Sequence, residues 1–398
     1  MHGTSYTSLL AVTAIALAAP IAVSLVPVVR VPAVVLEIVL GILVGPSVLG
    51  WVHLDASVSV LGVIGLSFLL FLAGLELDLS SLRGRVGRIL GAYAVSGVLA
   101  LAGGQLVSFI DADNKALFVG IVLASTSLGL VVPVLRDAGL TFTPFGQLVL
   151  AASSVGEFGA ILALALFYSG SGSGLGTQLF LLVGFALLVV VVAVGLGRIE
   201  RSPRFARALL RQGETSAQLG VRVAMLVLAV FVALSSELGF EAVLGAFVAG
   251  ALLRVTDPDE HLTDERLRSK LDAIGYGFLI PAFFVTSGLQ FDAHALVSEP
   301  AAIAMVPALV VLFAVARGVP AVLYRGLGDA RHVATAGLLQ ATSLSVPVVA
   351  ARIGTQLHTI DADTSAAIVA AGLLTVVVFP ALALLILSRG GAEPGSTP

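Results

Sequence analysis

The chain of 398 residues has no cysteine, which excludes disulfides, thiol catalysis and cysteine-ligated metal. Charge is scarce as well. Only 11% of residues are Asp, Glu, Lys or Arg, and the net charge of -3 comes with no dense basic patch, so nothing is suited to a nucleic-acid backbone. There is no GxxxxGK[ST] run and no complete GxGxxG. The run SGSGSGLG after Tyr168 reads as a flexible external loop, so neither ATP hydrolysis nor nucleotide binding is indicated. The six histidines, His2, His53, His261, His294, His332 and His358, are scattered without ligand spacing, and neither a cofactor nor a resident metal is expected.

Apolar residues are plentiful. They make up 58% of the chain, the mean hydropathy is +1.08, and apolar runs of roughly 20 residues recur from end to end, the length that crosses a bilayer as a helix. An all-α polytopic membrane protein is predicted. Every polar gap is short and the tail after Arg389 is only a few small residues, so a sizeable soluble domain is not expected, and any regulatory subunit would be a separate chain. The first apolar segment, Leu9 to Val28, lacks a basic n-region and a convincing cleavage site, and reads as a helix rather than a signal peptide.

Charged and Gly/Pro-rich breaks divide the chain into about thirteen spans. They fall near 8–28, 33–51, 57–77, 87–110, 116–136, 146–168, 178–197, 217–236, 240–253, 273–290, 301–323, 333–352 and 364–387. The odd-numbered loops and the tail hold Arg30, Arg83, Arg85, Arg88, Arg136, Arg198, Arg201, Arg204, Arg207, Arg211, Arg254, Arg266, Arg268, Lys270, Arg325, Arg331 and Arg389. These are 17 of the 21 basic residues, against Lys115 and Arg352 in the even loops. Because basic loops stay in the cytoplasm, the N-terminus is expected outside and the C-terminus inside a cell membrane.

Spans 5 and 12 repeat one another. ASTSLGLVVPVLRDAG and QATSLSVPVVAARIG both place Thr-Ser-Leu shortly before proline, at Thr126, Ser127, Leu128 and Pro133, then at Thr342, Ser343, Leu344 and Pro347. The offset of 216 residues covers seven helices, and an odd number reverses the direction of crossing. Two inverted six-helix repeats joined by span 7 are therefore expected, with spans 5 and 12 discontinuous near the midplane. Proline removes a helical hydrogen bond, and Ser and Thr hydroxyls can satisfy the freed backbone groups.

From Ala138 to Gly197 the only charged side chain is Glu157, in the middle of an apolar span and flanked by Gly156 and Gly159. Intramembrane carboxylates are costly and mark ion pathways. Burial favours the neutral acid and a nearby cation favours the carboxylate, so a proton and a cation would compete for the same oxygens. The alternatives are a neutral, hydrogen-bonded structural acid, or a span placed so that the acid faces water. Arg317, in VPALVVLFAVARGVPAVLY, lies roughly two turns from the cytoplasmic end of its span. Either it snorkels to the interface, or it faces the core and counters Glu157 or the negative half-helix ends. Neither charge recurs at the repeat offset, which leaves one intramembrane charge of opposite sign in each half. Glu76 and Asp78 read as a cytoplasmic boundary, and Glu237 and Glu241 as an external loop.

Taken together, LLFLAGLELDLSSLR, STSLGLVVPVLRDAG, SSVGEFGAI, GAFVAGALL, FFVTSGLQFD and the second Thr-Ser-Leu run resemble the monovalent cation:proton antiporter superfamily in its Kef-type branch. The resemblance implies the Na⁺/H⁺ antiporter fold and a homodimer. It divides the chain into scaffold 1–84, core 85–168, connector 169–215, scaffold 216–299, core 300–388 and tail 389–398. It puts the family's carboxylate, usually aspartate, at Glu157. Its frequent polar or acidic predecessor falls on Gly156, and its later basic residue, often lysine, falls on Arg317; both are departures. The function implied is exchange of Na⁺ or K⁺ for H⁺ by alternating access. The expected oxygens at Glu157 come from Ser125, Thr126, Ser127, Ser154, Thr342, Ser343 and Ser345, with Arg317 as fixed counter-charge. With one carboxylate and a non-titrating arginine, electroneutral exchange is expected. A gated potassium channel or uniporter, an organic-anion symporter of related fold and a non-transporting sensor are the alternatives.

Overall fold

The computed structural model describes residues 6–25, 33–76, 84–111, 115–168, 218–256 without 239 and 241, 265–291, 300–325 and 329–388, with fragments between 176 and 195. Only helices and turns occur among these residues. A bilayer interior offers backbone N–H and C=O groups no water, so each apolar run satisfies them internally by coiling.

The first elements are α1 Tyr6–Leu25, α2 Ala33–Val44, α3 Ala56–Glu76, α4 Val86–Asp111, α5 Ala116–Leu123, α6 Leu128–Asp137 and α7 Pro144–Tyr168. Then follow α8 Leu219–Glu237, α9 Ala242–Thr256, α10 Glu265–Ile274, a π turn Gly275–Leu279, α11 Ile280–Leu289 and α12 Pro300–Phe313. A second π turn Ala314–Gly318 and a 3₁₀ stretch Val319–Tyr324 extend α12; α13 Ala330–Ala341, α14 Ser345–Gln356 and α15 Ala362–Ser388 complete the order. Ten helices among the described residues are long and apolar enough to span a membrane, counting α5–α6 and α13–α14 as one each, and α2 and α9 are shorter apolar helices. The protein is a multi-pass membrane protein. Twelve of the expected spans coincide with these helices, while the span at 178–197 lies largely outside the described residues.

Local chemistry sets several ends. Asp55, Asp329 and Asp361 each stand before a helix and accept the N–H of Val58 (2.8 Å), His332 (2.9 Å) and Thr364 (2.7 Å), capping α3, α13 and α15. The span expected at 33–51 ends early, at Val44, because Gly45 precedes Pro46 and the residue before proline disfavours helical geometry. The span expected from 273 starts at Glu265 instead, its first turns being polar.

The chain divides into two compact units, 1–16 with 54–78 and 165–287, and 17–53 with 79–164 and 288–398. In the first, α3 and α9 meet backbone to backbone. A Cβ on Gly74 would come within 2.7 Å of Ala251 N, and one on Gly250 within 2.9 Å of the Phe71 carbonyl carbon, so side chains there would force the helices apart. Glu76 closes α3, in keeping with a boundary position, but is only 6% exposed; Asp78 and Glu241 lie outside the described residues. In the second unit α4 packs on α5, and α15 packs on α12, α13 and α14. Lys115, before α5, is tied to Asp361 at the start of α15 by a 2.8 Å ion pair.

Candidate ion-binding site

Both helices expected to break do so, within the second unit, at Ala124–Ser127 and Thr342–Leu344. The prolines are not the cause. Pro133 lies inside α6 and Pro347 in the first turn of α14, where its missing N–H needs no partner. The chain opens at the Thr-Ser-Leu runs, because each supplies hydroxyls and extended backbone that bond the other run. Ser127 and Thr342 are extended, and Ser127 N–H donates to Thr342 O at 2.8 Å. Ser127 Oγ accepts the N–H groups of Leu344 (2.7 Å) and Ser345 (2.9 Å), so a serine of one repeat caps α14 of the other. Thr375, on α15, accepts the Ser343 N–H at 3.0 Å. Ser125 donates to Val122 O, so its 2.6 Å contact with Ser343 has Ser343 as donor.

Glu157 projects from the middle of α7 onto this crossing and is 0% exposed. Its Oε2 accepts the Leu128 N–H at 2.8 Å, capping α6, and its Oε1 accepts the Ser345 hydroxyl at 2.7 Å. The carboxylate thus faces the N-terminal, partially positive ends of both α6 and α14. Unlike water, these donors are fixed in place.

Arg317 takes the complementary position. It is 1% exposed, so it does not snorkel. Nε donates to Thr126 Oγ1 (2.8 Å), Nη1 to Ser96 Oγ (3.2 Å) and Nη2 to Ala152 O (3.3 Å), and the guanidinium lies 5.4 Å from the Tyr93 ring centre. Thr126 in turn donates to Gln340 O, in the last turn of α13. The fixed cation therefore bonds neutral oxygens beside a negative half-helix end. The π turn at Ala314–Gly318 carries Arg317, and Ser96 Oγ bonds the Ala316 carbonyl there at 2.7 Å. One extra residue in the turn re-aims the side chain.

Gly156 makes room for that guanidinium. A Cβ there would overlap Arg317 Nη2 and come within 2.8 Å of Thr126 Oγ1. In an open helix interior, Gly→Ala stabilises by about 1 kcal/mol. Here overpacking reverses the sign, and Gly156→Ala is expected to destabilise by about 1–3 kcal/mol. A lowered thermal unfolding midpoint in detergent checks this; a raised one shows that the contact is not tight.

Of the residues singled out in the sequence, Ser345 touches Glu157 directly and Ser127 reaches it through Ser345, 2.8 Å away. Ser125 and Ser343 join the two breaks, and Thr126 holds Arg317. Thr342 and Ser154 donate to their own helices, at Leu338 O (3.1 Å) and Leu150 O (2.8 Å). Ser153, not anticipated, is 0% exposed one turn before Glu157, with a hydroxyl that has no hydrogen-bond partner. The expectation of one intramembrane charge per half is corrected by Glu37, 5% exposed within apolar α2. The signal was the same as for Glu157. Tyr93 and Ser96 carry no charge or motif and had no signal.

The profile of the family described as "Sodium/hydrogen exchanger, transmembrane" matches residues 13–386. The chain belongs to this exchanger family. The chain is also similar over most of its length to named antiporters. The putative Na⁺/H⁺ antiporter YjbQ of Bacillus subtilis is 31% identical over 96% of this chain. The probable Na⁺/H⁺ antiporter 3 of Methanocaldococcus jannaschii is 26% identical over 88% of this chain and 89% of its own length. This exchanger-family chain spans 63% of the length of YjbQ. Among solved structures, the sodium proton antiporter MjNhaP1 of Methanocaldococcus jannaschii shares the fold, with a TM-score of 0.63 over 97% of this chain and 99% of its own, at 16% identity.

Proposed function

We propose that the protein is a secondary active transporter that exchanges Na⁺ or K⁺ for H⁺ across the membrane. The observation that carries this reading is a wholly buried carboxylate, Glu157, held by Leu128 N–H and the Ser345 hydroxyl at the N-terminal ends of two crossed half-helices. A proton and a monovalent cation both need the same two carboxylate oxygens, so binding one displaces the other. Hydroxyl and backbone oxygens suit a hard cation, and Ser345, which bonds Glu157, and the unpartnered Ser153 hydroxyl, one turn earlier on α7, are candidates to complete its shell. Arg317 stays charged throughout and cannot carry the proton. One exchangeable charge at Glu157 gives one-for-one, electroneutral exchange.

The reading extends to a homodimer of the Kef-type branch, with helices 85–168 and 300–388 as a mobile core against a scaffold, N-terminus outside. Relatives' names keep potassium open beside sodium, since the Bacillus cereus protein GerN, 29% identical over 65% of this chain, is described as a Na⁺/H⁺-K⁺ antiporter. Purified protein in liposomes with an imposed pH gradient provides the test. Adding Na⁺ or K⁺ is expected to collapse the gradient at a rate unaffected by a membrane potential. Cation flux without proton movement identifies a channel or uniporter instead, and a potential-dependent rate overturns electroneutrality.

A further inference from the structure

The hydroxyl protons around Glu157 can be assigned one by one. A serine hydroxyl has one donor and two acceptor sites. Ser127 Oγ already accepts two backbone N–H groups, from Leu344 (2.7 Å) and Ser345 (2.9 Å), so both of its acceptor sites are filled. Its remaining contact is Ser345 Oγ at 2.8 Å, and there Ser127 is the donor. Ser345 accepts that proton and donates its own to Glu157 Oε1 at 2.7 Å. The chain Ser127 to Ser345 to Glu157 therefore has a single polarity, with every proton directed toward the Glu157 carboxyl group.

We propose that Ser127 is a positioning residue for proton exchange at Glu157: through Ser345 it ties the protonation state of the carboxylate to the N-terminal cap of α14. The inference rests on the reading of Glu157 as the exchange site, and it gives Ser127 a role other than that of a cation ligand, because no lone pair is left for a cation. A proton can take a second lone pair of the carboxyl group, but the neutral acid accepts the Ser345 proton more weakly than the charged carboxylate does. Where the acid proton is donated to Ser345, the Ser345 hydroxyl turns, and turning toward Ser127 requires Ser127 to release a backbone N–H of α14. A cation on the carboxylate leaves the chain's polarity intact. Protonated and cation-loaded states thus differ in how firmly Ser345, and through it the Ser127 cap of α14, is held, which is a difference that a conformational change can read.

The other ionisable groups packed on α7 near Glu157 are Arg317, from the π turn after α12, and Tyr93, from α4, whose hydroxyl lies over Gly159. Neither donates to Glu157, and α6 and α14 present it only with the Leu128 N–H and the Ser345 hydroxyl. The charge-assisted donor from Ser345 is therefore the adjustable contribution.

The experiment compares wild type with Ser127→Ala, Ser127→Thr and Ser345→Ala in proteoliposomes, measuring exchange against pH. Removing the Ser127 donor weakens the Ser345 bond to the carboxylate and favours the proton, so the profile moves toward higher pH. The expected shift is about one pH unit for Ser345→Ala and about half that for Ser127→Ala, with Ser127→Thr restoring the wild-type profile. A cap with no relay role would lower the maximal rate and leave the profile in place, and that result overturns the proposal. Infrared titration of the Glu157 carboxyl band, assigned by its loss in Glu157→Gln, makes the same comparison without transport. If the band titrates at the same pH in Ser127→Ala and wild type, the relay is refuted even though exchange at Glu157 stands. If wild-type protein moves no protons, the functional reading fails and the infrared shift alone decides the relay.

Discussion

Glu157→Gln is expected to reduce cation-driven proton movement to the background of empty liposomes while leaving a folded protein. The amide matches the carboxyl in shape and keeps an oxygen for the Leu128 N–H, so the α6 cap that Glu157 provides at 2.8 Å is retained. It can neither take up a proton in the working range nor present a negative charge to a cation. The thermal unfolding midpoint should stay close to that of wild type, which separates lost chemistry from lost structure. Glu157→Asp retains the charge but withdraws it by one methylene from two donors fixed on other helices, and should keep a reduced rate. Full exchange in Glu157→Gln would remove the carboxylate from the mechanism, and Glu37, the other buried acid among the described residues of the same compact unit, would become the next group to test.

Arg317→Ala is expected to be the most destabilising single change in the second unit. It removes donors to Thr126, Ser96 and Ala152 O and leaves a cavity where one of the largest fully buried side chains had been. Hydrogen bonds from a charged group are worth about 1.5–3 kcal/mol each, and although they do not add simply, a loss on the order of 5 kcal/mol is expected. That approaches the whole stability of an ordinary domain, about 5–15 kcal/mol. Arg317→Lys keeps the charge beside the α13 end but replaces a planar fork with a single point donor, so it should fall between wild type and alanine. Unfolding followed by size-exclusion after heating in detergent measures the order. An alanine variant as stable as wild type would show that the guanidinium is not what holds Thr126 and α7 together.

The two central residues were visible in the sequence for the same reason. A charge inside an apolar run stands out against a background that excludes charge. Glu37 meets the same criterion within a shorter charge-free stretch than the one around Glu157. The paired Thr-Ser-Leu runs located the breaks to within a few residues, since a repeated irregularity at a fixed offset is improbable by chance. The prolines nearby suggested a wrong cause. A proline in the first turn of a helix removes an N–H that has no partner there anyway, so Pro347 opens nothing. Ser154 and Ser153 show the limit from the other side. Adjacent serines look equivalent in sequence, yet one hydroxyl bonds Leu150 O on its own helix and the other is left buried without a partner one turn before Glu157. The π turn that aims Arg317 has no composition of its own, because its cause lies in what packs against it, including the Ser96 hydroxyl on Ala316 O.

By itself the sequence determined that the chain crosses a membrane many times as helices, that two of those helices carry matched interruptions, and that one acid and one arginine lie within apolar spans. These follow from hydropathy and periodicity, which act along the chain. That the acid and the arginine are both buried came from the structure. Tertiary structure alone decided that the acid faces the positive ends of α6 and α14, that the arginine bonds neutral oxygens over Gly156 beside the end of α13, and which serine hydroxyl donates to which. Those outcomes depend on distances of about 3 Å between residues 29 to 221 positions apart, and hydrogen-bond direction is settled only when every donor and acceptor in the crossing is in place.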